Sequence, residues 1–430
     1  MSTMDRRTLL RLVGASALSV PVLSAIAACA PQASTPNTDN GNADLKNIRF
    51  TAWSLNEEAS KPVVQGMLDA WAGKSGGTVT TGVWPFNEYL NQLTLQIRGG
   101  QAVGAVQLSI DWLAQLATFA QFEDLSSVAG KGGYSDAALK AGQVNGKQLA
   151  LPWTIGSLGM LANSDLLNRA GVTSAPTTIA EFEQALIKLK ALDVVPYAGM
   201  TKVAQLGGDI TTWMRVFGSP IVDNSGKIVI GDEASVEAVT WYKSLYDRKL
   251  IAADVDRFDA RALFSKGKAA IYDDAIVGKS AVLTGAADPT LASKLMPMAR
   301  PVKNSGATPV HTLWGHVIAV FKGDGSRTAA DLASYMTSDS AATDALFGKL
   351  SLPPTTTAAL GSAAVKQDTY TTQWTERITK TAAPSPIWPF AKAAQMNTEL
   401  ANRVQSVLIG QATPAEALKA AAEAMNKLTS

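Results

Sequence analysis

The chain has 430 residues with 38 basic and 36 acidic side chains, two histidines and one cysteine, Cys29. This length allows two domains with full hydrophobic cores. A single cysteine excludes an internal disulfide, and two histidines with one cysteine leave no zinc-binding cluster and no HExxH motif. The sequence therefore predicts no metal site and no cofactor.

The first 29 residues have the order of an export signal. Arg6 and Arg7 precede an apolar, uncharged stretch over residues 12–28, which is too short and too rich in small residues for a good membrane span. The adjacent arginines resemble a twin-arginine signal, and the Ile-Ala-Ala-Cys sequence ending at Cys29 resembles a bacterial lipobox. The sequence predicts a signal peptide over 1–28 and a lipid on Cys29, although the general export route remains an alternative to the twin-arginine route.

Removal of residues 1–28 takes away three arginines and one aspartate, so that 35 basic and 35 acidic residues remain. A neutral mature chain is a poor candidate for binding nucleic acid. Residues 29–46 are polar and rich in turn-forming residues, and we interpret them as a flexible tether between lipid and fold.

Strand and helix patterns alternate from residue 47 onward. Alternating apolar residues predict strands at 48–52, 79–83 and 105–110, and helical spacing predicts helices at 63–71, at 86–97 and from Asp111. Further along, capping boxes at Thr178 and Thr413 open two helices, 222–229 forms a hairpin, 233–248 is a helix and 313–321 is a strand. This alternation predicts an α/β fold with a parallel sheet covered by helices.

Several segments, in this order along the chain, resemble motifs of the family 1 extracellular solute-binding proteins of ABC importers, the maltodextrin-binding type. These segments are residues 145–153 (NGKQLALPW), 161–167 (LANSDLL), 264–271 (FSKGKAAI), 297–301 and 314–315 (PMARP and WG), and 409–418 (IGQATPAEAL). The resemblance covers residues 47–430 and implies a two-lobed periplasmic-binding-protein fold of type II. The ligand would bind in the cleft between lobes that are joined by a multi-strand hinge.

The resemblance also implies the bounds of the lobes and the partners. Lobe 1 would contain residues 47–153 and 302–350, and lobe 2 residues 154–301 and 351–430, with crossings near 154–158, 298–302 and 352–354. The chain would act outside the cell membrane as a lipid-anchored monomer. It would capture a mono- or oligosaccharide and deliver it to two permease subunits, which a separate cytoplasmic ATPase would serve.

Sugars present a flat C–H face and a rim of hydroxyls, so a sugar site needs aromatic rings together with polar side chains. Most of the tryptophans follow predicted strands or lie in loops, which is the ligand edge of a parallel sheet. The candidate ligand-binding residues are Trp53, Trp84, Asp111, Trp112, Trp153, Asp209, Trp213, Trp314, Gly315 and Trp388. Trp71 and Trp241 fall at helical spacing among apolar neighbours and are expected in the core. The roles of Glu57, Asp274, Arg300 and His316 stay open.

One departure from the family weakens a maltodextrin assignment. Some members carry a tryptophan soon after the GKAAM motif, whereas here residues 273–277 are DDAIV. A non-sugar solute such as a polyol, an osmolyte or a peptide is therefore an alternative. An exported glycoside hydrolase is a further alternative, because two opposed carboxylates at a cleft would suffice. No nucleophile–base motif indicates an enzyme, and residues 278–280 (GKS) lack the upstream glycine of a P-loop.

Overall fold

The computed structural model describes residues 46–429, and the signal peptide, Cys29 and nearly all of the tether lie outside them. The strands are β1 (Asn47–Thr51), β2 (Thr78–Gly82), β3 (Ala105–Ser109), β4 (Gln143–Val144), β5 (Lys147–Gln148), β6 (Ala150–Asn163), β7 (Val195–Ala198), β8 (Ala269–Ala275), β9 (Leu295–Met298), β10 (His311–Val320) and β11 (Ala382–Ala383). The helices are α1 (Lys61–Ser75), α2 (Phe86–Arg98), α3 (Leu113–Ala117), α4 (Ser126–Ala129), α5 (Asp136–Lys140), α6 (Ser164–Arg169), α7 (Ile179–Lys190), α8 (Val203–Phe217), α9 (Glu233–Asp247), α10 (Arg257–Ser265), α11 (Gly278–Leu283), α12 (Leu291–Lys294), α13 (Ser326–Ser338), α14 (Ser340–Leu350), α15 (Thr357–Leu360), α16 (Ala363–Gln367), α17 (Thr369–Arg377), α18 (Ala393–Leu408) and α19 (Pro414–Asn426).

The main sheet has the strand order β2-β1-β3-β10-β6-β8-β7, with β9 paired to β6 and β11 to β10. The pairs β1–β2, β1–β3 and β7–β8 are parallel, as the strand–helix alternation predicts. The sheet is nevertheless mixed, because β10 runs antiparallel to β3 and β6, and β6 runs antiparallel to β8 and β9. The strand–helix alternation predicted the parallel pairing but not the opposite direction of these two central strands, which no local pattern distinguishes from the others.

Two long strands join the two halves of the molecule. We call the half containing β1–β3 lobe 1 and the half containing β7–β9 lobe 2. The first part of β6 pairs with β10, and its last part pairs with β8 and β9. The lobe 1 end of β10 pairs with β3 and its other end with β11. Residues of β6 and β10 therefore form the floor between the lobes.

The neighbourhood of the other two predicted crossings is also defined by hydrogen bonds. Val302 is hydrogen-bonded through its backbone to Thr177 and Ile179 of lobe 2, although the sequence interpretation began the second segment of lobe 1 at residue 302. We therefore propose that the chain crosses through β10 rather than near 298–302. At the third predicted crossing, near residues 352–354, Thr154 Oγ1 donates to the Pro353 carbonyl at 2.9 Å. Residues 352–354 therefore lie beside β6.

Local sequence signals agree with the structure at several helix ends. The capping boxes at Thr178 and Thr413 are both formed, with Glu181 and Glu416 as their reciprocal partners. The predicted hairpin at 222–229 is a tight turn closed by one bridge between residues 222 and 228. Capping boxes succeed as predictions because they are closed within four residues and need no tertiary partner.

Buried apolar side chains form three clusters on the two faces of the sheet. One cluster fills lobe 2 around α8, α9 and α18, and includes Trp241. A second extends along the other face and includes Trp71, whose Nε1 donates to Asp331 at 2.9 Å. The third, in lobe 1, packs α2 against β3 and contains Trp53 and Trp112. Trp71 and Trp241 are thus core residues, as their helical spacing predicts.

Candidate functional site

A cavity of about 390 Å³ opens between the two lobes above β10. Its size lies in the range of about 300–1,000 Å³ that is usual for small-molecule sites. Lobe 1 contributes the start of α2 and the turn after β3, and lobe 2 contributes the first turns of α8 and α10 together with α18 and the segment before it. We call this space the ligand cavity.

Five of the ten sequence-predicted residues line the ligand cavity, namely Asp111, Trp112, Asp209, Trp314 and Trp388. Trp53 and Trp153 line a smaller adjoining cavity, which Trp314 also lines. Trp84, Trp213 and Gly315 line neither cavity. The predicted set is thus divided between the two cavities and the surrounding packing.

The three residues that line neither cavity contribute instead to packing. Trp213 is fully buried in the lobe 2 core, one turn beyond Asp209 along α8, with the Arg300 guanidinium 4.3 Å from its ring centre. Trp84 packs edge-on against Tyr89 with ring centres 5.9 Å apart. A Cβ at Gly315 would lie 2.6 Å from the Thr154 carbonyl, so a side chain there would separate β10 from β6.

Aromatic rings form the lobe 1 wall. The Trp53 ring centre lies 5.4 Å from both Phe86 and Trp112 and 5.1 Å from Tyr89, in edge-to-face arrangements. Such pairs add about 0.5–1.5 kcal/mol each beyond their buried area, so they hold the wall in one conformation. The Tyr89 hydroxyl lies 2.8 Å from the Thr51 carbonyl oxygen and 3.0 Å from the Gln107 carbonyl oxygen and donates to them. This contact fixes α2 to β1 and β3.

The charged residues behind the cavity walls are paired across elements. Arg261 donates to both oxygens of the buried Asp274, at 2.7 and 2.8 Å. Arg300 donates to Asp273 at 2.6 Å and to Asp209 at 3.2 Å. Burial raises the pKa of Asp273, and the Arg300 guanidinium opposes that shift. These pairs leave the lobe 2 wall nearly neutral.

Three buried polar atoms among the residues of the ligand cavity have no hydrogen-bond partner within residues 46–429. They are Asp209 Oδ2, Asn397 Oδ1 and Arg257 Nε, and their side chains all line the ligand cavity. Arg257 Nε also lies 3.8 Å from Asp274 Oδ1. A buried polar group without a partner costs about 1–3 kcal/mol. A ligand with hydroxyl groups offers both donors and acceptors to this set.

Two carboxyl groups at the site have raised pKa values. Burial is the main cause of the raised pKa of Asp111, and the Ser109 hydroxyl that donates to Asp111 opposes it. Burial likewise raises the pKa of Glu57, against the opposing charge of Arg261. Asp111 lines the ligand cavity and Glu57 the smaller one.

Sequence reasoning missed several residues at the site. The missed residues include Phe86 and Asn87 of α2, Gln205 of α8, Arg257 of α10 and Asn397 of α18. Arg257 follows the helix-capping Asp256, so it occupies the first turn of α10. Gly207 lets α8 approach α18, because a Cβ there would lie 2.2 Å from the Asn397 carbonyl. Their common signal, a place near a helix end, is shared by many residues that touch no cavity.

Two kinds of feature, a metal-binding cluster and a membrane-spanning helix, are not found among the residues that the structure describes. Residues 46–429 contain no group of three or more His, Cys, Asp or Glu side chains that could hold a metal ion. Over the same residues, none of the helices combines the length and the apolar character needed to cross a bilayer.

Several solved structures of similar fold are solute-binding receptors. The GacH receptor of Streptomyces glaucescens GLA.O, solved unliganded and with acarbose, has a TM-score of 0.80 at 21% identity, covering 89% of this chain and 98% of that one. Maltose-bound MalE3 of T. maritima has a TM-score of 0.78 at 20% identity, with 89% and 99% covered. A ribitol-bound protein of Agrobacterium radiobacter K84 has a TM-score of 0.75 at 19% identity, with 90% and 99% covered. At these identities the similarity establishes the two-lobed fold.

A comparison with curated protein sequences gives no match. Residues 66–372, well over half of the chain, match the family described as bacterial extracellular solute-binding protein. The matched range covers parts of both lobes and the two strands that join them, β6 and β10. With its cavity between two lobes, the chain belongs to the family of bacterial extracellular solute-binding proteins.

Proposed function

We propose that this chain captures a carbohydrate, a mono- or oligosaccharide, outside the cell membrane for an ABC importer. The observation that carries the proposal is the ligand cavity, where Trp112 of lobe 1 and Trp388 of lobe 2 meet unpartnered Asp209, Arg257 and Asn397 atoms. Indole rings cover the C–H faces of a sugar, and the polar atoms pair with its hydroxyls.

Binding is coupled to closure of the lobes. The cavity walls come from both lobes, so the ligand contacts the full site only when the lobes are close together. A ligand shifts the open–closed equilibrium only by its preference for the closed state. The closed form then docks on two permease subunits, and a separate cytoplasmic ATPase supplies the energy.

Anchoring completes the proposal. A lipid on Cys29 and the polar residues 29–46 hold a monomeric receptor at the outer face of the cell membrane. A tether of this kind raises the effective concentration of the receptor at the permease.

The experiment is calorimetric titration of the mature chain with a panel of sugars, polyols, osmolytes and peptides. We expect at least one mono- or oligosaccharide to bind in the micromolar range or tighter. Similar structures hold acarbose, maltose or ribitol, so polyols belong in the panel as the main alternative. Binding of a non-sugar solute with no binding of any sugar would replace the carbohydrate by that solute.

A hydrolase is the alternative from another class, and the raised pKa values of Glu57 and Asp111 are the feature that it would use. Incubation of the chain with oligosaccharides, followed by chromatography of the products, tests it. We expect no product beyond a buffer control. Steady product release that disappears in the Asp111→Asn or Glu57→Gln variant would overturn the binding-only proposal.

A further inference from the structure

The smaller cavity, which we call the inner chamber, adjoins the ligand cavity at Phe86, Arg257 and Trp314, which line both. Its volume is about 40 Å³ against about 390 Å³ for the ligand cavity. A water needs roughly 10–15 Å³ by this measure, so the chamber holds about three water-sized groups. A sugar ring is too large for it, whereas one short substituent of a ring fits.

Tryptophans form the walls of the chamber around one histidine. The His316 ring centre lies 4.8 Å from Trp53, 6.3 Å from Trp153 and 4.4 Å from Trp314. Trp314 and His316 are two residues apart on β10 and so share a face of the strand. The pairing of β10 with β6 shifts register between His316 and Val317, a bulge of the kind that re-aims a side chain.

The hydrogen bonds around His316 define its tautomer. Ser54 donates to Gln107 Oε1 from its hydroxyl at 2.6 Å and from its backbone nitrogen at 3.3 Å. The Gln107 amide nitrogen therefore faces His316 Nδ1, at 3.1 Å. Because an amide nitrogen only donates, Nδ1 accepts, and the proton of the neutral ring is on Nε2.

The ring stays neutral throughout the physiological range. Burial, together with the nearby Arg261 charge, lowers the pKa of His316 to about 3. Within the described residues Nε2 has no hydrogen-bond partner, and the side chain lines the chamber with 8% of its surface exposed. His316 thus presents a fixed, uncharged N–H donor to whatever enters the chamber.

The other polar groups of the chamber complement this donor. Glu57 brings a carboxyl group, which accepts from the Ser60 hydroxyl at 3.3 Å and has a further oxygen available. Arg257 brings an Nε–H that has no hydrogen-bond partner, although the nitrogen lies 3.8 Å from Asp274 Oδ1. A hydroxyl group satisfies both kinds, because it accepts from an N–H and donates to a carboxylate. A methyl group would leave these atoms unpaired, and an ionised carboxylate would have no proton to donate to Glu57.

We propose that the inner chamber binds the terminal hydroxymethyl group of a sugar and that His316 Nε2–H donates a hydrogen bond to the hydroxyl oxygen. The tryptophan walls contact the methylene carbon, while Glu57 accepts a hydrogen bond from the hydroxyl group. The ring of that sugar lies in the ligand cavity next to Trp314. This inference rests on the proposed function and makes the chain selective for sugars that end in a hydroxymethyl group.

Matched sugars test the selectivity by calorimetric titration of the mature chain. The pairs are D-glucose with D-xylose, D-galactose with L-arabinose, and maltose with its 6′-deoxy derivative, and D-glucuronate is added as the carboxylate analogue. In the pair that binds, we expect the hydroxymethyl member to bind about 5- to 150-fold tighter, because its partner leaves buried polar groups unpaired. Equal affinity within a pair, or a preference for D-glucuronate, would overturn the inference while leaving sugar capture intact.

A variant assigns the selectivity to His316. In His316→Asn the side-chain oxygen replaces Nδ1 as the acceptor for Gln107, but no atom remains at the position of Nε2. We expect the preference within the pair to fall to within about twofold. Trp388→Ala is the control, because it shortens a wall of the ligand cavity and should weaken both members equally, so that the preference stays.

Circular dichroism and urea unfolding confirm that both variants are folded. A His316→Asn variant that is folded and keeps the full preference would show that His316 is only a packing residue. A chain that binds no sugar at all would overturn the proposed function and this inference together.

Discussion

At the scale of single residues, Trp314 has the most central position, because it lines both cavities and contacts His316. Its neighbour Gly315 leaves room for the close approach of β6 and β10, so the indole is held at the floor between the lobes. Sequence alone ranks Trp314 equally with Trp84 and Trp213. Only the tertiary packing shows that Trp314 lies at the cavities, whereas Trp213 lies in the core and Trp84 packs against Tyr89.

We predict that Trp314→Ala weakens sugar binding by about 2 kcal/mol, or about 30-fold, because a large apolar contact surface is lost. Trp84→Ala is the matched control, since Trp84 lines neither cavity, and its affinity should stay within about twofold of the parent. Calorimetry measures both, which avoids the loss of a fluorophore. Equal effects of the two substitutions would contradict the placement of the site.

His311 gives the stability of the chain a dependence on pH. Arg300 donates its backbone N–H to His311 Nε2 at 3.0 Å, and His311 Nδ1 lies 2.8 Å from the Thr381 hydroxyl. Burial and the Arg300 charge lower the pKa of His311 to about 3. The folded chain therefore keeps this ring neutral, whereas the unfolded chain protonates it below a pH of about 6.5.

The sign follows from linkage. As pH falls, the unfolded state binds the proton at a higher pH than the folded state does. The contribution of the neutral His311 to the free energy of unfolding is therefore fully present above a pH of about 6.5. It is lost by about 1.4 kcal/mol per pH unit as the pH falls toward about 3. His311→Gln retains an acceptor for Arg300 but no titrating group. We predict that the advantage of the parent over this variant shrinks by about 2 kcal/mol between about pH 8 and about pH 5. Urea unfolding at both pH values measures it, and a constant difference would contradict a neutral His311.

At the scale of elements, the two long strands β6 and β10 matter most, because they belong to both lobes. A Cβ on Gly315 would lie 2.6 Å from the Thr154 carbonyl and 2.7 Å from Ile155 Cδ1. The glycine is thus required by close approach between strands.

We predict that Gly315→Ala lowers the free energy of unfolding by about 1–3 kcal/mol, the usual cost of forcing extra volume into packed structure. Gly66→Ala on α1 is the matched control, since nothing lies within 4 Å of a Cβ there. That substitution should stabilise by about 0.5–1 kcal/mol, because alanine is the better helix former. Chemical denaturation measures both, and effects of the same sign would contradict this difference in packing.

Helix α2 of lobe 1 touches lobe 2 through Asn87. Its amide nitrogen donates to Asp256 at 3.0 Å, and its oxygen accepts from Gln205 at 3.3 Å. Nearby, Phe86 and Phe258 approach with ring centres 6.2 Å apart. These contacts join α2 to α8 and α10, so we expect them to favour a closed arrangement of the lobes.

We predict that Asn87→Ala weakens ligand binding about fivefold, because the closed state loses hydrogen bonds worth about 1 kcal/mol. The unliganded variant should also have a larger radius of gyration in solution scattering. Gln96→Ala is the control, since Gln96 lies on the same helix and lines neither cavity. An unchanged affinity and radius for Asn87→Ala would show that these bonds do not bias closure.

At the scale of the whole molecule, we propose that binding and localisation belong to different parts of the chain. The cavities and their supporting clusters lie within residues 46–429, and the proposed anchor is Cys29. The neutral charge of residues 29–430 provides no electrostatic attraction to an anionic membrane surface. We therefore propose that the lipid, and not surface charge, would retain the chain at the membrane.

We predict that Cys29→Ala leaves sugar affinity unchanged but moves the protein from the membrane fraction to the soluble fraction of cells, because the lipid attachment site is gone. Fractionation with immunodetection measures the distribution, and calorimetry measures the affinity. Ser34→Ala within the tether is the control and should stay with the membrane. Retention of the Cys29→Ala variant at the membrane would assign anchoring to another part of the chain.

The sequence alone determined those features of this protein that are local or depend on order along the chain. The capping boxes at Thr178 and Thr413, the core positions of Trp71 and Trp241 and the alternation of strands and helices need only neighbours in sequence. The order of weak motifs was sufficient for the family, which the match over residues 66–372 establishes. Each of these signals is contained within a few turns or strands.

Only the tertiary structure decided which side chains meet. Trp314 and Trp213 are equal candidates for ligand binding in the sequence. In the structure, β10 brings Trp314 to both cavities, while α8 directs Trp213 into the lobe 2 core. The tautomer of His316 depends on Ser54 and Gln107, which are far from it in sequence. The mixed strand order has the same origin, since pairing between distant segments is set by the packing of the whole chain and leaves no mark on local periodicity.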